Sequence, residues 1–203
     1  MHPRPPEYIL LMLLLLLACT GGTPDADSGT PYVGPDDTAE PGTFAIALPA
    51  ATSSAGHALE DRCAWQLDVA YECRNGNPEV VWTDPPAGTV AYALIFDDPD
   101  AGDYEHWAIV NIPASYDNID ASTSGDGLGD DLPGGAYELE NGFGFPGYLG
   151  SCPPEAHVYR WRVWALGEEL EAGLERFAQV ERQAEERALG MAETCHIYGP
   201  KSE

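Results

Sequence analysis

The chain has 203 residues, with 34 Asp or Glu against 9 Lys or Arg, a formal net charge of −25. A surface that negative repels polyanions, which excludes a role built on nucleic acid binding.

Ile9–Ala18 is a continuous apolar run behind Arg4. About ten residues at 1.5 Å rise cannot cross a ~30 Å hydrocarbon core, so residues 1–18 read as a signal peptide and not as a transmembrane helix. The run ends in Leu16-Leu17-Ala18-Cys19, which resembles a bacterial lipobox, the motif in which the cysteine is lipidated and becomes the new N-terminus. Cys19 is therefore expected to anchor the chain in a bacterial cell envelope. Thr20 after it, in place of Asp, points to the outer membrane by the sorting rule of enteric bacteria. From Thr20 to Gly42 the chain is Gly, Pro, Asp, Ser and Thr with almost no apolar side chain, so it cannot offset the entropy of ordering. Residues 19–42 then form a lipidated, acidic, disordered tether that holds the rest roughly 25–30 Å from the anchor.

Residues 43–203 are of single-domain size. Thr43–Leu48, Trp65–Tyr71 and Val80–Trp82 read as short strands. Val90–Phe96 is nearly all apolar and stops at Asp97-Asp98-Pro99, which predicts a central strand covered on both faces. His106–Ile112, closed by Pro113, and Val158–Leu166 read as further strands. Ser115–Glu140 is rich in Gly, Asp and Ser without period, and its first half reads as a floppy insertion. The turn Asp126–Asp131 within it lacks EF-hand spacing and a closing glutamate, so it reads as a solvated loop and not a calcium site. Leu170–Met191 carries Leu174, Phe177, Val180, Ala184, Ala188 and Met191 at helical spacing. The fold class is thus mainly β with a C-terminal helix.

Alternation along a strand puts His157 and Tyr159 on one face and Val158 on the other. Asp98 and Asp100 are likewise two apart, and Pro99 holds Asp98 extended. If these strands are neighbours, two carboxylates, His106, His157 and Tyr159 converge at one sheet edge. The Gly150-Ser151 turn would add backbone N–H groups, and such concavities bind anions. A phosphate ester between N–H donors and imidazoles is the natural ligand, with carboxylates setting the histidine tautomers. His2, His57 and His196 show no partner at ligand spacing and read as structural.

These segments, in this order, resemble the phosphatidylethanolamine-binding protein family in its bacterial Raf-kinase-inhibitor-like branch. The matching motifs are Tyr71-Glu72-Cys73 with Trp82, Asp97–Ala101, His106-Trp107 with Asn111-Ile112-Pro113, Asn141-Gly142-Phe143-Gly144, Gly147–Pro154 and His157-Val158-Tyr159. The resemblance implies a β-sandwich with a C-terminal helix and a small anion pocket, whose residues fall on Asp98, Asp100, His106, Pro154, His157 and Tyr159, with Gly150 beside them. Three positions depart from the family pattern. Gly102 and Ser151 each stand where a proline is usual, and Val158 replaces an arginine. Val158 should face away from the pocket, so that change alters the sheet surface.

Four cysteines remain after Cys19, and an even number in an exported chain implies two disulfides with three possible connectivities. Cys63 with Cys73 closes a short local segment, and Cys63 stands outside the family pattern, which favours that pair and Cys152 with Cys195. The functional expectation is a non-catalytic binding protein without cofactor or metal, taking a phosphate-bearing small molecule or phospholipid head group and inhibiting a kinase or protease partner. Its alternative is an envelope protein-interaction or protease-inhibitor domain with a vestigial pocket. A hydrolase would need Cys152 with His157, or a metal at Asp98, Asp100 and His106, yet the chain has no nucleophile elbow and no His-x-x-x-His pair.

Overall fold

A computed structural model describes residues 42–67, 69–71, 73, 75–125 and 132–199. In chain order its strands are β1 (Ala45–Ala47), β2 (Thr52–Ser53), β3 (Trp65–Gln66), β4 (Val80–Thr83), β5 (Ala91–Asp98), β6 (Tyr104–Pro113), β7 (Asn118–Ile119), β8 (Tyr137–Glu138), β9 (His157–Leu166) and β10 (Ala188–Tyr198), with one helix, α1 (Phe177–Arg187), between the last two. The larger sheet runs β2-β3-β10-β9-β5-β6-β8, and the smaller runs β1-β4-β7. All pairings are antiparallel except β3 with β10.

β5 is buried along its whole length because both faces are covered. Tyr92, Leu94 and Phe96 point toward the small sheet, where they pack with Trp82, Trp107 and Trp161. Ala91, Ala93 and Ile95 point the other way, onto Phe177, Val180 and Ala184 of α1. Burying each large apolar side chain contributes roughly 1.5–3 kcal/mol, and the stacked Phe96 and Trp161 rings, 4.0 Å apart, lie directly behind the end of the strand. The alternation continues into the polar end, so Asp97 emerges on the helix side and Asp98 on the sandwich side.

Two expectations need correction. The helix covers only Phe177–Arg187, and residues 188–198 form β10, between β3 and β9. Ala188 and Met191 continue the helical spacing by coincidence, whereas Ala192, Thr194 and His196 carry a period of two, and Ala188 already has extended backbone at ψ 134°. The first half of Ser115–Glu140 is also not floppy. The buried Asn77 donates to the Asp120 carbonyl at 2.9 Å and accepts from Ser124 N–H at 2.8 Å, while its backbone exchanges hydrogen bonds with Ser122 and Ser124. One amide side chain thereby does for this segment what a strand partner does elsewhere. Asp126–Asp131 lies outside the described residues, as do the signal peptide, Cys19 and nearly all of the tether.

Candidate ligand-binding site

At the end of β5, Pro99–Ala101 make a single 3-10 turn, for which Asp98 is the cap: its Oδ1 accepts from Ala101 N–H at 3.1 Å. Gly102 closes the turn in the left-handed region at φ 71° and donates its N–H to the Pro99 carbonyl at 3.3 Å. A proline there could supply neither the dihedral nor the donor, so this loop is fixed by different means from the family's usual proline. Asp100 leans across to β9, where its Oδ2 accepts from Val158 N–H at 2.9 Å, and its Oδ1 accepts from Arg62 at 2.5 Å. The Arg62 hydrogen bond and charge and the Val158 N–H hold the Asp100 carboxyl below the usual range, outweighing the opposing effect of burial.

The other Asp98 oxygen, Oδ2, accepts from His157 Nδ1 at 2.7 Å. A carboxylate can only accept, so the Nδ1 position carries the proton and Nε2 is the free nitrogen. His157 remains 21% exposed at its side chain. The Tyr159 ring is buried between His106 and His157, near enough to Asp98 to feel its charge. Burial and that neighbouring charge push the phenol well above its ordinary range, against the Ser151 side chain and Cys152 N–H, which pull the other way. It therefore stays protonated.

Behind Tyr159 lies a polar chain that sequence reading left out. Trp161 Nε1–H donates to His196 Nδ1 at 2.9 Å, so the proton of His196 sits on Nε2, 3.0 Å from Ser151 Oγ. Burial drives the His196 pKa down to about 3, which keeps the ring neutral. Donor order then runs one way, from Trp161 through His196 to Ser151. Ser151 and His196 have the spacing of a nucleophile and its base, but with polarity reversed: Nε2 already holds a proton and cannot take another from the hydroxyl. The signal for His196 was available in the period of two along residues 192–196, once that segment is read as a strand.

His106 is fixed from the other side. Its backbone carbonyl accepts from Leu149 N–H at 3.0 Å, and its Nδ1 donates to the Leu149 carbonyl at 2.7 Å. A backbone carbonyl, not a carboxylate, thus sets its tautomer. Burial lowers its pKa despite the aspartates nearby, leaving a neutral ring with Nε2 as an acceptor. The structure therefore brings Asp98, Asp100, His106, His157 and Tyr159 to one edge. The Gly150 N–H is taken by the Cys73 carbonyl at 2.7 Å, so it is not a spare anion donor here. Pro154 sits exposed in the bend before His157.

The disulfides are Cys63–Cys195 and Cys73–Cys152, which overturns the expected pairing. Sequence proximity misled, because Cys63 lies against β10, where it packs with Val158 and Ile197. Cys73–Cys152 braces the turn that carries Ser151, and it leaves Cys152 without a thiol for catalysis. Among the described residues no group of three His, Cys, Asp or Glu side chains is placed to hold a metal ion.

The profile of the family described as Phosphatidylethanolamine-binding protein matches residues 52–199. The chain belongs to the phosphatidylethanolamine-binding protein family. It is 32% identical over 165 residues to the putative lipoprotein LppC of Mycobacterium tuberculosis, covering 77% of this chain and 76% of that one. It is 40% identical over 106 residues to the UPF0098 protein YbcL of Escherichia coli, a stretch spanning 47% of this chain and 56% of that relative. The crystal structure of E. coli YbcL, described as a new member of the mammalian family of these proteins, superposes with a TM-score of 0.66 at 28% identity over 78% of this chain and 99% of YbcL. Against that family background Val158 turns away from the site, as alternation requires, and packs on Cys63 and Cys195.

Proposed function

We propose that this member of the phosphatidylethanolamine-binding protein family is a non-catalytic binding protein whose edge pocket takes a phosphate-bearing head group or a phosphorylated ligand. The observation that carries the reading is the pair of fixed imidazoles. His157 is aimed by Asp98 and partly open to solvent, while neutral His106 offers an acceptor at Nε2. A protonated His157 can donate to a phosphate oxygen, and His106 can accept from a phosphate hydroxyl or a head-group amine. Such a ligand meets both rings with matched polarity. The reversed Ser151–His196 polarity and the oxidised Cys152 support binding over hydrolysis.

We further propose that Cys19 is a lipid anchor and that the domain works in the cell envelope. The lipobox-like Leu16–Cys19 sequence supports this, as does the similarity to a relative named as a lipoprotein. Among the described residues no helix is long and apolar enough to cross a membrane.

The test is an NMR titration of the full chain with phosphoethanolamine and with inorganic phosphate, following the ring signals of His106 and His157. Saturable shifts at both rings, lost in His157→Ala, are the expected result. Unmoved rings at millimolar ligand overturn the pocket and leave a protein-interaction domain as the reading to pursue. Metabolic labelling with palmitate, abolished by Cys19→Ser, checks the anchor.

A further inference from the structure

The segment from Ser54 to Ala64 lies outside the family motifs, yet it delivers a guanidinium to the pocket rim. Its backbone is closely tied. Ser54 Oγ donates to the Cys63 carbonyl at 2.6 Å, Ser54 N–H to the Ala64 carbonyl at 2.9 Å, and Arg62 N–H to the Leu59 carbonyl at 2.9 Å. Cys63 is then bonded to Cys195, at the β10 residue beside His196. Arg62 therefore starts from a fixed position, and its side chain ends on Asp100 Oδ1 at 2.5 Å. The other oxygen of the same carboxylate holds Val158 N–H, one residue from His157.

We infer that Arg62 is a ligand-contacting cation of this pocket, one that selects for charge on a phosphate group. The inference rests on the phosphate-binding reading above. Two carboxylates, Asp98 and Asp100, already occupy the rim, neutral His106 adds no positive charge and His157 can bring at most one, so a phosphate arriving there needs a further counter-charge. Arg160 and Arg162 cannot supply it, because they lie on the helix side of the sheet, spent on Asp97. Arg62 instead reaches the rim itself, at Asp100, and is 44% exposed at its side chain. A guanidinium has five donors in a planar fork that suits phosphate, and among the described residues only Asp100 takes one of Arg62's. An exposed ion pair of this kind adds little stability on its own, so sharing the guanidinium with a ligand costs the fold little.

The experiment is calorimetric titration of the oxidised full chain with inorganic phosphate over pH 5.5 to 8, comparing the wild type with Arg62→Ala, Arg62→Lys and His157→Ala. Inorganic phosphate passes from mono- to dianion at about pH 7, somewhat above a phosphate monoester. A ligand-contacting Arg62 makes the wild-type advantage over Arg62→Ala widen across that step, to about tenfold at the alkaline end, since His157 contributes alike to both profiles. Arg62→Lys, keeping a point charge without the fork, falls between them. An Arg62→Ala profile parallel to the wild type, or a loss under about threefold, overturns the inference while the pocket stands on His157→Ala. Phosphate that fails to bind the wild type at all overturns both. Unchanged thermal unfolding of Arg62→Ala separates lost contact from lost structure.

Discussion

Asp97 and Asp98 are sequence neighbours, both 3% exposed, and they serve opposite ends because one residue of alternation puts them on opposite faces of one strand. Asp97 meets two arginines: Arg160 grips it through Nε at 2.9 Å and Nη2 at 2.6 Å, and Arg162 adds Nη2 at 2.6 Å. Arg162 also pairs with Glu181 of α1. Guanidinium groups are charged at every accessible pH and have no acceptor to offer, so this cluster is closed, a rivet between sheet and helix. Asp98 meets an imidazole and a backbone N–H, with a phenol close by, groups that keep a lone pair, a proton or an open edge for something else. The same carboxylate thus makes structure or a site according to whether its partners are fixed cations or groups that can still exchange a proton or accept a bond.

Removing Asp97 should produce the largest effect on stability. Asp97→Ala removes the buried counter-ion that Arg160 and Arg162 share, leaving them only the exposed Asp103 and Glu181, and is expected to cost about 3–5 kcal/mol in urea unfolding, with phosphate affinity unchanged in whatever fraction stays folded. A loss below about 1 kcal/mol would show that the cluster is not the rivet described. Next in size is a pH effect from the site side. His196 is held down to about 3 and His106 is also lowered, both chiefly by burial, against about 6.5 in the unfolded chain. The unfolded chain therefore binds more protons below that value. The stability contributed by the neutral His196 ring is complete above about pH 6.5 and drains as pH falls toward about 3, by up to about 1.4 kcal/mol per unit, and the neutral His106 ring adds a loss of the same sign. Urea midpoints between pH 7 and 4.5 should fall less steeply in His196→Asn than in the wild type, and parallel slopes would refute the neutral buried ring.

Asp98→Asn should invert the Asp97 result. The amide can satisfy some of the same donors, so the expected stability loss is about 1–2 kcal/mol, whereas the aiming of His157 is lost and the ring shifts on phosphate titration should vanish. Smallest of all, Glu168→Gln removes a pair with Arg187 whose acidic member is 73% exposed, and a change within about 1 kcal/mol is expected. A larger value there would mean that pairing as such, and not burial, explains Asp97.

How much of this was legible follows the same physics. The apolar runs of β5, β6 and β9 announce themselves because burial on both faces fills them with Val, Ile, Leu and aromatic residues, and the motifs at their ends locate the edge where Asp98, His106, His157 and Tyr159 meet. β10 was not legible. Ala188 and Met191 extend the helical spacing past the true helix end, and a central strand carrying Thr194 and His196 does not look apolar enough to be central. Missing β10 hid the Cys195 position, and with it the disulfide pairing and the partner of Ser151. Arg62 was invisible for a different reason, since its link to Asp100 spans 38 residues and no local pattern encodes it. Asn77 likewise orders residues 118–124 through one side chain, and composition alone cannot tell such a clamp from a solvated asparagine.

β10 sits in the interior of the larger sheet, with N-terminal β3 on one side and β9 on the other, and Cys63 is bonded across 132 residues to one of its residues. A chain emerging in order from a ribosome or a translocon therefore reaches β3 long before the strand that must cover its edge exists. Nearly all of the domain has to be delivered before the sheet can close, which favours slow folding after delivery over folding during synthesis. Until then β3 and the Cys63 thiol are open together, and the oxidant that makes the first bond acts on the same late event that completes the sheet.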